Sequence, residues 1–197
     1  MRQRSFPSRI PEEELAAYID GRRPIQALDR WITEFRLGIG LGFDGFDPRV
    51  LRAIAACRSG APPDLVARYM DWRGFEAFCA VLLNSMGYCI TQNILLKKPR
   101  AQIDILARGL SASLLVDCKH WSRTRGWSAL SRAAVAQGLR AERLRTAMPG
   151  VEPMAVVIVS LGDERARFVG GAAVVPVHTL ADFSSKIEEY SAYLTMR

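Results

Sequence analysis

The spacing of hydrophobic and polar positions changes once along this 197-residue chain, near Asp71. Before it, apolar residues recur at helical intervals in short bursts: Leu15, Tyr18 and Ile19; Leu28, Trp31 and Phe35; Val50, Leu51 and Ile54. Proline and glycine punctuate the bursts, which predicts helices from Pro11 to Gly21, from Pro24 to near Gly38, and over 48–58 and 63–70. Pro11 followed by Glu12, Glu13 and Glu14 suits the positive end of a helix dipole. The stretch GIGLGFDGFDP between the second and third helices lacks the GxGxxG spacing and a preceding strand, and reads as a loop.

After Asp71 the pattern is mixed. Trp72, Phe75, Phe78, Cys79, Leu82, Leu83 and Met86 predict a helix over 71–86, stopped by Gly87. Strand-like runs follow at 88–96, 102–108 and 112–119, then a long helix over 127–147 stopped by Pro149-Gly150. MAVVIVSL (154–161) reads as a buried strand, with a short strand near 172–177 and a closing helix over 179–194. This order predicts an α/β fold on a mixed sheet flanked by helices, residues 71–197, preceded by a helical region, residues 1–70.

Charge sharpens the picture. Between Lys97 and Arg145 stand eleven basic residues against three acidic ones, a net of +8, while the rest of the chain sums to −1. A charge excess confined to one segment points to a polyanion partner, because clustered Lys and Arg release counterions from a phosphate backbone. The alternative is a solvated basic face. Cys57, Cys79, Cys89 and Cys118 form no CxxC pair, which disfavours a zinc knuckle or disulfide framework and suits a reducing, intracellular setting. No apolar run is long enough to suggest a membrane span.

The most specific feature is QIDILARGLSASLLVDCKHW. A hairpin turning at Gly109–Ala112 sets Asp104 opposite Asp117 and Gln102 opposite Lys119. Alternation then puts Asp117 and Lys119 on one face, while Ile103–Cys118, Ile105–Val116 and Ala107–Leu114 make the other face apolar. Facing strand residues lie roughly 5 Å apart at Cβ. Two carboxylates so close repel unless a cation lies between them, so loss of either should not harm a metal-free fold. A hard divalent ion such as Mg²⁺ suits the oxygen ligands, and Lys119 is placed to orient an attacking water. Two polar residues interrupt apolar helical stripes: Glu76 beside Trp72, Cys79 and Leu83, and Gln137 amid Leu130, Ala133, Ala134, Ala141 and Leu144. Buried polar groups need polar partners, which the hairpin's charged face can supply.

Glu76, Asp104, Asp117-Cys118-Lys119 and Gln137 stand in the order that resembles the PD-(D/E)xK restriction-endonuclease-like nucleases. Phe75-Glu76 before a helix ending in Met86-Gly87-Tyr88, Cys118-Lys119-His120-Trp121 and the late Val-Val-Pro-Val (174–177) are similar in particular to the Mrr-type catalytic domain. The resemblance covers residues 71–190. It implies an α-β-β-β-α-β core and a Mg²⁺-dependent DNA endonuclease, with Mn²⁺ as a substitute metal. Asp104, Asp117, the Cys118 carbonyl and Glu76 would hold the metal, and Lys119 and Gln137 would complete the catalytic set. Lys97, Lys98, Arg100, Arg123, Arg125, Arg132 and Arg140 would hold the DNA backbone. A cytoplasmic, nucleoid-associated protein is expected, with homodimerisation left open. The alternatives are a Holliday-junction resolvase-like nuclease and a catalytically silent DNA-binding module. Mrr-type enzymes often carry an N-terminal winged helix, for which residues 1–70 show no strand pattern.

Overall fold

The computed structural model describes residues 10–38, 47–97, 100–121, 123, 126–161 and 165–190. The chain divides into two units, Met1–Phe78 and Cys79–Arg197. The first holds α1 (Glu12–Ile19), α2 (Gln26–Gly38), α3 (Pro48–Arg58) and α4 (Pro63–Ala67), and the division falls within α5 (Trp72–Ser85). Each helix starts where its first residues satisfy free backbone amides or suit the dipole. Three glutamates occupy the first turn of α1. Asp47 caps α3 by accepting the Arg49 amide at 2.8 Å, with Pro48 at the first helical position. Asp71 accepts the Gly74 amide at 2.7 Å at the start of α5. Leu15, Tyr18, Ile19, Leu28, Val50 and Ile54 bury the apolar stripes together. Arg52 Nε donates to the Ile19 carbonyl at 2.8 Å, satisfying an acceptor at the end of α1. Most of the glycine-rich loop, residues 39–46, lies outside the described residues.

The second unit runs β1 (Cys89–Lys97), β2 (Arg100–Arg108), β3 (Ser113–Lys119), α6 (Trp127–Ala147), β4 (Pro153–Val159), β5 (Arg167–Val169), β6 (Ala172–Pro176), one 3₁₀ turn (Val177–Thr179) and α7 (Leu180–Ser185). The strands form one mixed sheet in the order β1-β2-β3-β4-β6-β5. β1, β2 and β3 pair antiparallel, β3 pairs parallel with β4, β4 parallel with β6, and β5 antiparallel with β6. The expected core order is therefore present, and the hairpin takes the expected register, with Ile105 opposite Val116 and Ala107 opposite Leu114. Gly109 N donates to the Ala112 carbonyl at 3.0 Å to close its turn.

Two elements depart from expectation. β5 was not foreseen. It owes its place to Gly170 and Gly171, whose φ values of 53° and 80° build a tight two-residue turn that few other residues allow. The closing helix breaks at Lys186 instead of running continuously to 194, and residues beyond 190 lie outside the described ones.

α6 lies across the sheet and buries Ala134, Ala141 and Leu144 against Leu115, Ala155, Val157 and Val159. Fully burying a leucine stabilises by about 1.5–3 kcal/mol. β3 is buried from Leu114 to Cys118 and β4 throughout, as expected where parallel strands are covered on both faces. This corrects the simple division into an apolar face and a charged one. The face bearing Asp117 is also a core face, because α6 covers it. Ile103, expected on the opposite face, packs in this same cluster.

Candidate active site

The groups that meet on this face come from β2, β3 and α6. Strand pairing breaks at Asp104 on both sides. The β2–β3 ladder ends at Ile105 opposite Val116, and on β1 no partner pairs with Asp104 between Gln92 opposite Ile105 and Ile94 opposite Ile103. Asn93, which lies across from Asp104 on β1, takes a φ of 55°, a left-handed conformation that asparagine tolerates better than most residues. Asp104 Oδ2 accepts the Cys118 amide at 2.8 Å, in the place where a carbonyl would otherwise continue the ladder. The carboxyl group is thus held rigidly beside the end of β3. Burial, above all, pushes Asp104 above the usual carboxylate range, and the charge of Asp117 adds to this. The Cys118 amide, Lys119 and Arg140 pull the other way.

Asp117 is 4% exposed. Its Oδ1 accepts from Arg140 Nη1 at 2.9 Å. Its Oδ2 forms an ion pair with Lys119 Nζ at 2.6 Å, but the ammonium approaches off the line of a hydrogen bond, so this buried oxygen has no aligned donor. Gln137, fully buried on α6, donates from Nε2 to the Leu115 carbonyl at 2.7 Å and accepts from Arg140 Nη1 at 3.1 Å. Gln137 therefore steadies Arg140. The guanidinium of Arg140, a residue expected to hold the DNA backbone, is seated on Asp117.

Sequence reasoning missed two positioning residues. Arg140 stands three residues after Gln137, the spacing that puts two side chains on one helical face. Ser160, 2% exposed, fixes the end of β3: its amide donates to the Lys119 carbonyl at 3.1 Å, and its Oγ accepts the Trp121 amide at 2.7 Å. A lone serine after an apolar strand gave no signal beyond its need for partners.

Glu76 is half-buried on α5, in the unit that ends at Phe78. Lys97, Arg100, Arg123 and Arg132 are exposed, while Lys98 and Arg125 lie outside the described residues. Trp121 packs at the edge of the core, and exposed Trp127 has the Arg167 guanidinium over its ring at 5.9 Å. A cavity of about 540 Å³ lies apart from Asp104 and Asp117, lined by Val135, Leu139, Phe168 and Tyr190.

Among the described residues, no three His, Cys, Asp or Glu side chains converge on one point. Two carboxylates still suit Mg²⁺, which usually binds one or two and keeps several waters. The oxygen of Asp117 that lacks an aligned donor is where a cation fits the donor set. No helix among the described residues is long and apolar enough to cross a membrane.

An antiparallel hairpin leading into a parallel crossover, with Asp104 and Asp117-x-Lys119 at the strand ends and Gln137 on the crossover helix, defines the restriction-endonuclease-like class. A family model described as restriction endonuclease, of the Mrr catalytic type, matches residues 67–147. An uncharacterised protein of Archaeoglobus fulgidus is 32% identical over 126 residues, which span 62% of this chain and 96% of that protein. No solved structure matches. The chain belongs to the Mrr-type family of restriction-endonuclease-like nucleases.

Proposed function

We propose that this protein is a divalent-metal-dependent DNA endonuclease of restriction, defence or repair. The observation that carries the proposal is the buried Asp117 carboxylate. It stands beside Asp104, its Oδ2 lacks an aligned hydrogen-bond donor, and the Lys119 ammonium lies 2.6 Å away. The Lys119 ammonium balances this oxygen's charge without giving it an aligned donor, and a metal ion is a fitting further partner for it. Asp104, Asp117 and the Cys118 carbonyl are the proposed ligands, for Mg²⁺ with Mn²⁺ as substitute. The ion would supply Lewis acidity toward the phosphate and lower the pKa of water.

The chain's own groups do the rest. Asp104 is fixed by the Cys118 amide, so its carboxylate need not reorganise when the site is used. The Lys119 ammonium is one-third exposed, within reach of both Asp117 and a substrate. It orients the attacking water and counters the charge growing on the phosphate oxygens. Ser160 holds the strand end that carries Lys119. Lys97, Lys98, Arg100, Arg123, Arg125 and Arg132 hold the DNA backbone.

The test is to incubate the protein with Mg²⁺ and linear, methylated and four-way-junction DNA, each with an EDTA control. Metal-dependent strand breaks in any of them support the proposal, and the preferred substrate separates an Mrr-like from a resolvase-like role. If all three stay intact at every metal concentration, the proposal fails.

A further inference from the structure

Arg140 reaches from α6 to both Asp117 and Gln137. Both of its hydrogen bonds come from one nitrogen, Nη1, shared between Asp117 Oδ1 at 2.9 Å and Gln137 Oε1 at 3.1 Å. An arginine that holds a carboxylate permanently usually grips it with two parallel bonds. This one touches Asp117 end-on, and its side chain is 29% exposed. Gln137, by contrast, cannot move: it is fully buried and bonded to the Leu115 carbonyl. Its Oε1 is therefore a fixed anchor from which the guanidinium can pivot.

Charge sets the direction of the pivot. Asp104 and Asp117 are balanced by Lys119 and Arg140, so the four groups together are neutral without any ion. A divalent cation at Asp117 Oδ2 would leave the cluster at +2, and it would weaken the hold of Oδ1 on the Arg140 guanidinium by drawing on the same carboxylate charge. We propose that Arg140 is the built-in counter-ion of Asp117, released by the incoming metal and handed to the DNA phosphate while Gln137 keeps its hold. This rests on the nuclease reading above and adds a regulatory device to it. Metal and DNA become reciprocally coupled, because a phosphate that draws Arg140 away leaves Asp117 to the metal, and a metal on Asp117 frees Arg140 for the phosphate. Metal without DNA would then bind weakly, which protects against idle loading.

The test measures Mn²⁺ affinity by electron paramagnetic resonance, for the parent, Arg140→Gln and Arg140→Lys, with and without a short phosphorothioate duplex. Without DNA, Arg140→Gln should bind Mn²⁺ about tenfold tighter than the parent, within the usual range of coupling between two ligands. The duplex should tighten Mn²⁺ binding by a similar factor in the parent and clearly less in Arg140→Gln. Arg140→Lys, which keeps the charge on a shorter reach, should fall between them. In metal-free buffer Arg140→Gln should melt below the parent, and Mn²⁺ should close the gap. The parent's response to DNA is informative even if a variant does not fold: no tightening overturns the proposal. So does an Arg140→Gln affinity equal to or weaker than the parent's. If the parent binds Mn²⁺ and cuts DNA while those results fail, the coupling falls and the nuclease reading stands. A parent that neither binds Mn²⁺ nor cuts any substrate overturns both.

Discussion

Asp117 carries two cations on one buried carboxylate, and this decides what substitutions there will do. Repulsion between facing carboxylates suggests that losing Asp117 is harmless without metal. The structure reverses that expectation, because Lys119 and Arg140 already compensate the charge. Asp117→Ala should destabilise the metal-free protein by about 1–3 kcal/mol. That is less than the ~3–5 kcal/mol for a fully buried pair, since both cations can turn toward water. A melting temperature equal to or above the parent's would contradict this. Lys119→Ala should leave the fold intact and lower the cleavage rate by roughly 10²-fold or more, the scale for losing one group that stabilises transition-state charge. A parent-like rate would remove Lys119 from the mechanism. Away from the site, burial pushes the Cys57 thiol up to about 12, and Asp64 adds to the shift. Only the thiolate is alkylated, so at pH 8 Cys57 should resist iodoacetamide while exposed Cys89 reacts, as peptide mass analysis would report.

At the scale of elements, the turn between β5 and β6 is the most exacting backbone. A Cβ on Gly170 would come within 2.6 Å of Val135 Cγ2 on α6, at a φ of +53°. Gly170→Ala therefore combines strain with a clash and should lower stability by about 1–3 kcal/mol, read from urea unfolding. A change below a few tenths would mean that the turn yields. Helix boundaries in residues 10–85 were legible because Pro11, Asp47-Pro48 and Asp71 are local signals that act within one turn. The β2–β3 register was legible because only one pairing sorts Ile105 with Val116 and Ala107 with Leu114. β5 was not, since three residues are too few for a period. Arg140 on Asp117 was also hidden. Periodicity tells which helical face is buried, but not how the helix is rotated over the sheet, and that rotation selects which flanking arginine leans inward.

For the whole molecule, the proposed function makes the charge excess between Lys97 and Arg145 the term that should govern association with DNA. Binding should fall steeply with salt. About six contacts from this segment give a slope of log K against log[salt] of roughly −5. Fluorescence anisotropy with duplexes of unrelated sequence would measure it, and a slope near zero would leave the basic segment without a polyanion partner. The parallel pairing of β3 with β4 has a consequence in time. Ser113 pairs with Pro153 and Lys119 with Val159, each pair forty residues apart, so the crossover must be complete before either contact forms. Such distant pairings are paid for in chain entropy first and rewarded late in folding. The hairpin carrying Asp104 and Asp117 leaves the ribosome well before Gln137, Arg140 and Ser160, the residues that cover and fix it. A half-made chain therefore holds the acids without their setting. The proposed activity would thus exist only once the second half of the sheet has closed.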